Sequence, residues 1–425
     1  MMKKWKFLLA TVLVTGVDGL YLGGCSSSSD PSPLTLVTLK TDGGTDLAGA
    51  TSATAIPLDA KVVATFNKAV NATTATSSSI SIQVNGVAIA ATIDVVGAVV
   101  TITPTSNMAT GTNHKVTITA ALKATDGAGA TAGEFTYKSF GPPVVSPPQE
   151  SMMLSYFDFN GGIVDATGAH TPDAADIHNI TYVADRFGFD GLAASFNGTT
   201  SIAEIPGGDG YMVGPDFSIS FWIKADGTKE AHFVLGLAAW YGFQFEIMGG
   251  PWTATDKGVK LATRYAIGGN PVQTDAEDTW WNAEPNGWQG STFAKDVPAP
   301  DGVGLYFKDK WAHVVCTYKA STKVGSMYVN GEKVRQWDFN LWPACTAPCK
   351  AVATGVKFAG NTTGGGNKLA LGFIQASGNR IVIDTWADPA DPANNHFKGL
   401  LDDLRFWKTA LTAAEVTTLY TAEKP

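Results

Sequence analysis

Apolar and polar positions alternate in short runs along most of the chain, and each run predicts a strand. The clearest are Val62–Phe66, Ile80–Val84, Val99–Thr103 and His114–Thr119, then Leu154–Phe159, Phe217–Lys224, Trp311–Tyr318 and Met327–Val334. Asn85-Gly86 and Asn330-Gly331 each fall between apolar runs, which predicts hairpin turns. The stretch Phe397–Tyr420 opens as a strand. Its alternation sets Leu400, Asp402, Leu404 and Phe406 on one face and Leu401, Asp403, Arg405 and Trp407 on the other. Thr412 with Glu415 forms a capping-box pattern, and Ala413, Val416, Leu419 and Tyr420 give a short helix its apolar stripe. The chain therefore reads as all-β with a closing helix.

Punctuation divides it. Residues 1–24 have a basic start at Lys3, Lys4 and Lys6 and an apolar core from Phe7 to Val17, too short for a permanent span. They end in Leu22-Gly23-Gly24 before Cys25, and Ser26–Ser29 begins a flexible tether over residues 25–33. Regular strand spacing over 34–140 predicts a β-sandwich of its own. Gly141–Pro148 holds four prolines in eight residues, so 141–150 is a semi-rigid linker. Residues 151–425 form a larger β domain.

Charge narrows the partners. The chain carries 30 Lys+Arg and 38 Asp+Glu; without residues 1–24 the balance is 27 against 37. A net negative surface argues against nucleic acid and anionic membrane as partners. Cys316 lies within a strand pattern and reads as a small buried hydrophobe. Cys345 and Cys349 flank Thr-Ala-Pro in a loop; a small disulfide is the expected state, with a metal site as the alternative.

Two features bear on chemistry. Asp402 lies in register with three apolar residues, and a buried carboxylate needs a cation, an arginine or hydrogen-bond donors. A salt bridge and a structural calcium both satisfy it. Residues 240–305 carry Trp240, Tyr241, Trp252, Trp280, Trp281 and Trp288 among glycines, prolines and amides. A long loop of this composition is expected to be functional, and exposed aromatics there would stack on sugar rings. Trp240, Tyr241, Trp280, Trp281 and Trp288 are the candidate glycan contacts; a satellite core beneath the loops is the competing reading. A second stretch, with Asp384, Trp386, Asp388, Asp391 and Asn394-Asn395, is a candidate to line the same groove or hold a cation. No Glu-x-Asp-x-x-Glu motif is present, and Asp275-Ala-Glu-Asp278 has the residue types but is expected in a loop; with no zinc-type histidine motif, nucleophile elbow or phosphate loop either, a glycosidase or lyase is a remote alternative.

Three resemblances add to this. The small residues before Cys25 resemble a bacterial lipoprotein signal. That implies lipidation of Cys25, a membrane attachment through the lipid anchor alone, and, with Ser26 next, the outer membrane or cell surface. Ile56–Asp59, Val63–Lys68, Thr101–Pro104, Gly111-Thr112, Lys115–Ile118, Leu122-Lys123 and Asp126-Gly127 resemble bacterial Ig-like domains, which implies a stalk. Leu154–Phe159, Val164–Gly168, Asp185–Gly188, Ala194–Gly198, Phe217–Lys224, Gly399–Trp407 and Ala410–Val416 resemble laminin-G-like modules, in that family's order. The implied fold is an Ig-like β-sandwich followed by a concanavalin A-like jelly-roll sandwich. The second family often holds calcium where the chain ends meet. By position Asp165 and Asp402 are the implied ligands, with Asn197 and Asp403 beside them. The implied function is a surface lipoprotein whose jelly roll binds a glycan or acts in adhesion; a protein-interaction module of a surface assembly is the alternative, its partner a surface protein.

Overall fold

The computed structural model describes residues 31–143, 145–254, 257–267, 273–280, 290–297, 300–341, 353–360, 367–378 and 380–425. Almost all of its regular structure is β, as the alternation predicts, and the chain forms two compact units. One runs to Met108 and resumes over Asn113–Ser139; the other comprises Ala109–Thr112 and Phe140–Pro425. No helix among the described residues is long and apolar enough to cross a membrane.

The first unit is a sandwich of two sheets. One orders Leu36–Thr41, Val62–Phe66, Val99–Pro104 and Ala91–Val96; the other orders Ala53–Ile56, Gly133–Ser139, Asn113–Ile118, Ile80–Val84 and Val87–Ala88. Leu39, Val62, Ile80, Ile82, Val100, Ile102 and Val116 fill the space between them. The expected hairpin at Asn85-Gly86 is present, with φ of 51° and 80°. Two positive φ values in succession match the right-handed twist of the flanking strands.

The second unit is a larger sandwich. Its first sheet orders Thr181–Val183, Ala193–Asn197, Lys398–Trp407, Phe217–Ala225, Ala312–Lys319, Val324–Val329, Glu332–Asp338 and Ser291–Ala294, with Met153–Phe157 added along Lys398–Trp407. Its second orders Ile177–His178, Ile202–Ile205, Leu369–Leu371, His232–Leu237, Phe243–Ile247, Val259–Ile267 and Gln273–Trp280. Phe221, Phe245, Leu235, Leu261, Leu404 and Phe406 are among the side chains packed between the sheets. The predicted capping box is present at Thr412 and Glu415, and it starts a helix over Ala413–Glu423. That helix covers the outer face of the first sheet, where Val416 and Leu419 pack on Val315, Tyr328 and Trp407. Strands beneath it are thus buried on both faces.

Two expectations need correction. Residues 240–305 do not form one long loop. Most of the described part is strand: Phe243–Ile247, Val259–Ile267, Gln273–Trp280 and Ser291–Ala294. Phe243, Phe245 and Ile247 alternate with Gln244 and Glu246 at strand period, and all five are buried. The second correction concerns the last strand, whose alternation is interrupted. Between Ser220↔Arg405 and Trp222↔Asp402 the register slips by one residue, and Asp403 has a φ of 47°. This is a β-bulge, which inserts one residue and shifts the phase of everything after it. Leu401, Leu404 and Phe406 face the core. Asp402, Asp403 and Arg405 meet groups on the helix-covered side instead.

Candidate functional site

The bulge gathers an ionic network under the end of the closing helix. Arg186, from the Asp185–Gly188 turn, meets both carboxylates: one terminal nitrogen reaches Asp402 and the other lies 2.5 Å from Asp403. Its Nε donates to the backbone carbonyl of Glu423 at 2.9 Å. Arg405 lies 3.0 Å from Asp403 and 2.8 Å from Glu423. Tyr156 donates to Asp403 at 2.5 Å, and the Trp222 indole donates to Glu423 at 2.9 Å. Burial and the neighbouring Asp403 charge push the Asp402 carboxyl well above the usual carboxylate range. Asp403 is held below it: burial opposes this, but Arg405 and Arg186 outweigh burial. The network joins Met153–Phe157, the Arg186 turn, the last strand and the last helix, so its role is to lock the two ends of this unit together.

That geometry answers the question left open for Asp402: its partner is an arginine. The other implied calcium ligands are engaged elsewhere. Asp165 accepts from the backbone amides of Tyr156, Thr167 and His170 and from the Thr167 hydroxyl. The Asn197 carbonyl accepts from the amides of Thr199, Thr200 and Ser201. Among the described residues no three His, Cys, Asp or Glu side chains are grouped to hold a metal ion. Asp402 and Asp403 thus share Arg186, while Asp165 and Asn197 each hold backbone amides of their own turns.

The tryptophans separate into core and surface. Trp280 is fully buried; its indole donates to the Lys295 carbonyl at 2.8 Å and its ring lies against Tyr306. It is removed from the candidate contacts because its strand turns it into the sandwich interior. Trp280→Phe keeps most of that packing but orphans the Lys295 carbonyl. It should cost about 1–2 kcal/mol in chemical denaturation while leaving any ligand affinity intact. Trp281, Trp288, Cys25, Cys345 and Cys349 lie outside the described residues.

Trp240 and Tyr241 stay near the surface. They sit in the connection between His232–Leu237 and Phe243–Ile247, where Ala238 and Ala239 take φ of 52° and 53°. Such values in non-glycine residues cost about 1–3 kcal/mol each and persist where surroundings impose them. Here the Ala239 amide is held by the Ile374 carbonyl at 2.9 Å. The turn presents Trp240 to Trp386, ring centroids 5.8 Å apart and 19° from parallel. Trp240 also stacks on Tyr241, and Trp386 meets Phe233 edge-on.

Trp386 comes from the second stretch that the sequence marked as a candidate to line the same groove. Two amide side chains build its loop. Gln375 donates to the carbonyls of Val382 and Ala387 and accepts from the Val382 amide. Asn394 donates to the carbonyls of Thr385 and Asp388, both at 2.8 Å. The Asn395 carbonyl is bound by the Phe233 amide at 2.6 Å. So the loop is tied to the second sheet, and Trp386 remains 42 % exposed.

These residues line one groove of about 400 Å³ on the outer face of the second sheet. One part is aromatic: Trp240, Trp386 and Phe233. Its polar part is Gln244, Glu246, Lys260 and Asn395, and Ala231 and Ile247 also line it. Glu246 and Lys260 are ion-paired at 2.7 Å, and Gln244 donates to the other Glu246 oxygen at 3.2 Å. The carbonyl oxygen of Gln244, a residue only 2 % exposed, has no hydrogen-bond partner among the described residues. Met248 and Gly249 complete the rim, and that rim is pinned by Lys257. This buried ammonium donates to the carbonyls of Glu230, Met248 and Gly250 and lies over the Trp252 ring. Burial lowers Lys257 to about 8. Sequence reasoning missed Gln244, Glu246 and Lys260; the signal available was their position as the polar alternates of two strand patterns.

The family model for the bacterial Ig-like domain matches residues 45–141. The first unit's sandwich agrees with it, as the resemblance implied. No curated protein sequence matches the chain. Among solved structures, domain 4 of AbnA, a GH43 extracellular arabinanase from Geobacillus stearothermophilus solved with arabinotriose, overlaps at TM-score 0.35 and 20 % identity, covering 63 % of this chain and 98 % of that one. The binding domain of Paraclostridial Mosquitocidal Protein 1 overlaps at TM-score 0.38 and 14 % identity, over 64 % of this chain and 52 % of that one. The ligand-binding domain of botulinum neurotoxin serotype D, solved with N-acetylneuraminic acid, gives TM-score 0.38 and 10 % identity, over 64 % and 51 %. The chain thus spans about half the length of the last two. These overlaps are too loose to bear on what the groove binds.

Proposed function

We propose that the second unit is a non-catalytic glycan-binding module, carried by a surface lipoprotein on its Ig-like domain. The observation that carries the glycan reading is one groove that combines paired, partly exposed tryptophans with a buried, unpartnered amide oxygen. Sugar rings have apolar faces for the tryptophans and hydroxyls for the amides, and few other ligand classes need both at once. An interaction surface for another protein would present a broader, flatter apolar patch. The lipid-anchored placement rests on Lys3, Lys4, Lys6, the apolar run Phe7–Val17 and Cys25.

A glycan array probed with the protein and with Trp386→Ala tests the reading. Loss of one stacking platform is expected to weaken binding roughly tenfold to a hundredfold, by analogy with other ring-on-aromatic stacking. Because Trp386 is half-exposed, the variant should melt with the parent. A folded parent that binds no glycan, or a variant that binds as well as the parent, would sink the proposal.

A further inference from the structure

Resting on the glycan reading, we propose that the groove selects neutral sugars over acidic ones, and that Gln244 reads a ligand hydroxyl. The charged side chains lining the groove are Glu246 and Lys260, and they are already ion-paired to each other at 2.7 Å. A ligand carboxylate entering there meets an ammonium whose charge Glu246 has matched, and it must also lie beside the Glu246 carboxylate itself. The long-range field opposes it as well, since the chain carries a net charge of −8.

The unpartnered acceptor sharpens the choice. Gln244 spends one amide N–H on Glu246 at 3.2 Å, and its carbonyl oxygen is left buried and unpartnered in the groove lining, where a ligand hydroxyl that reaches it would supply the missing donor. An acceptor is satisfied by a donor alone. A sugar hydroxyl is a donor; an ionised carboxylate or sulfate brings further acceptors and no proton. A neutral hexose offers a hydroxymethyl donor at the one position where its uronic acid carries acceptors only, so a buried acceptor facing that position discriminates against the acid. Asn395, also in the lining, can donate and accept, so a hydroxyl network fits there too.

The test uses the full chain and matched probes: glucose and galactose oligosaccharides, and their uronic-acid counterparts of the same length. Neutral members are expected to bind at least about tenfold more tightly than the acidic ones. Gln244→Met, close in volume but without an acceptor, should lose about tenfold on the neutral probe. The parent, tested against a deoxy series of its best neutral ligand, should show the same loss at one ring position. That deoxy sugar should lose nothing further against Gln244→Met, a readout independent of how the variant affects stability. Acidic probes that bind equally or better would overturn the selectivity while leaving the glycan reading standing. Unchanged neutral affinity in Gln244→Met, or a flat deoxy series, would overturn the role of Gln244. Absence of binding to every probe would overturn the glycan reading itself.

Discussion

Arg186→Met is expected to destabilise the second unit by about 3–5 kcal/mol, because removing one member of a buried ionic network strands the others. The arginine neutralises Asp402 and Asp403 together and anchors the Glu423 carbonyl through Nε. Methionine fills much of the space but leaves Asp402 without its arginine and Asp403 sharing Arg405 with Glu423. Without the arginine Asp402 would hold its proton more firmly still, which limits the loss without cancelling it. The end of the closing helix should loosen first, since its terminal carbonyl loses its donor. Guanidinium titration measures the total, and hydrogen exchange over Ala413–Glu423 locates it. A variant within about 1 kcal/mol of the parent would mean that the network is worth no more than a surface pair.

Acid is the second large effect. His232 is buried with Nε2 against the Lys229 carbonyl at 3.0 Å and Nδ1 against the Lys398 amide at 3.3 Å. Only the neutral ring fits both, since a proton on Nδ1 would oppose that amide N–H. Burial lowers His232 to about 4 and His313 to about 3, and it lowers His396 as well. Each base binds its proton more weakly in the folded state than in the unfolded chain. As pH falls below about 6.5 the unfolded chain takes up protons that the fold refuses, so stability drops with pH through that window. For His232 alone, the step from 6.5 to about 4 corresponds to ~3 kcal/mol. Asp402 acts in the opposite direction, because its raised carboxyl holds a proton in the folded state. Asp185 and Glu423 are raised too and act with Asp402, but the three lowered histidines, joined by the lowered carboxyls of Asp126, Asp226, Asp403 and Glu415, leave the net slope positive. Denaturation midpoints at pH 7 and pH 4.5 check it: the midpoint should fall at the lower pH, and His232→Gln should flatten part of that fall.

Much of this was legible in the residues because it is local. The Asn-Gly hairpins and the Thr412–Glu415 capping box depend on neighbours a few positions away, and they stand where the pattern puts them. The phase of the last strand was not legible by strict alternation. The three-residue gap between Leu401 and Leu404 was the available sign of a bulge, but its use is tertiary: it lets two consecutive carboxylates meet one guanidinium 216 positions away in the chain. The Trp-rich stretch misled through composition. Its aromatics drew attention from the alternation of Phe243, Phe245 and Ile247, which marks a strand. Trp240 and Trp386 were each marked as conspicuous, and the proposed meeting of the two stretches in one groove is present. Which tryptophans would be core depended on sheet pairing, which one-dimensional spacing does not encode.

The central claim is that this groove is where a glycan binds, and side-chain NMR during a titration tests it most directly. With indole and amide protons assigned, a neutral oligosaccharide is expected to shift the Trp240 and Trp386 indole signals and the Gln244 side-chain amide. The Trp280 signal, buried against Tyr306, should stay in place. Shifts confined to other residues, with Trp240, Trp386 and Gln244 unmoved at saturation, would contradict the account.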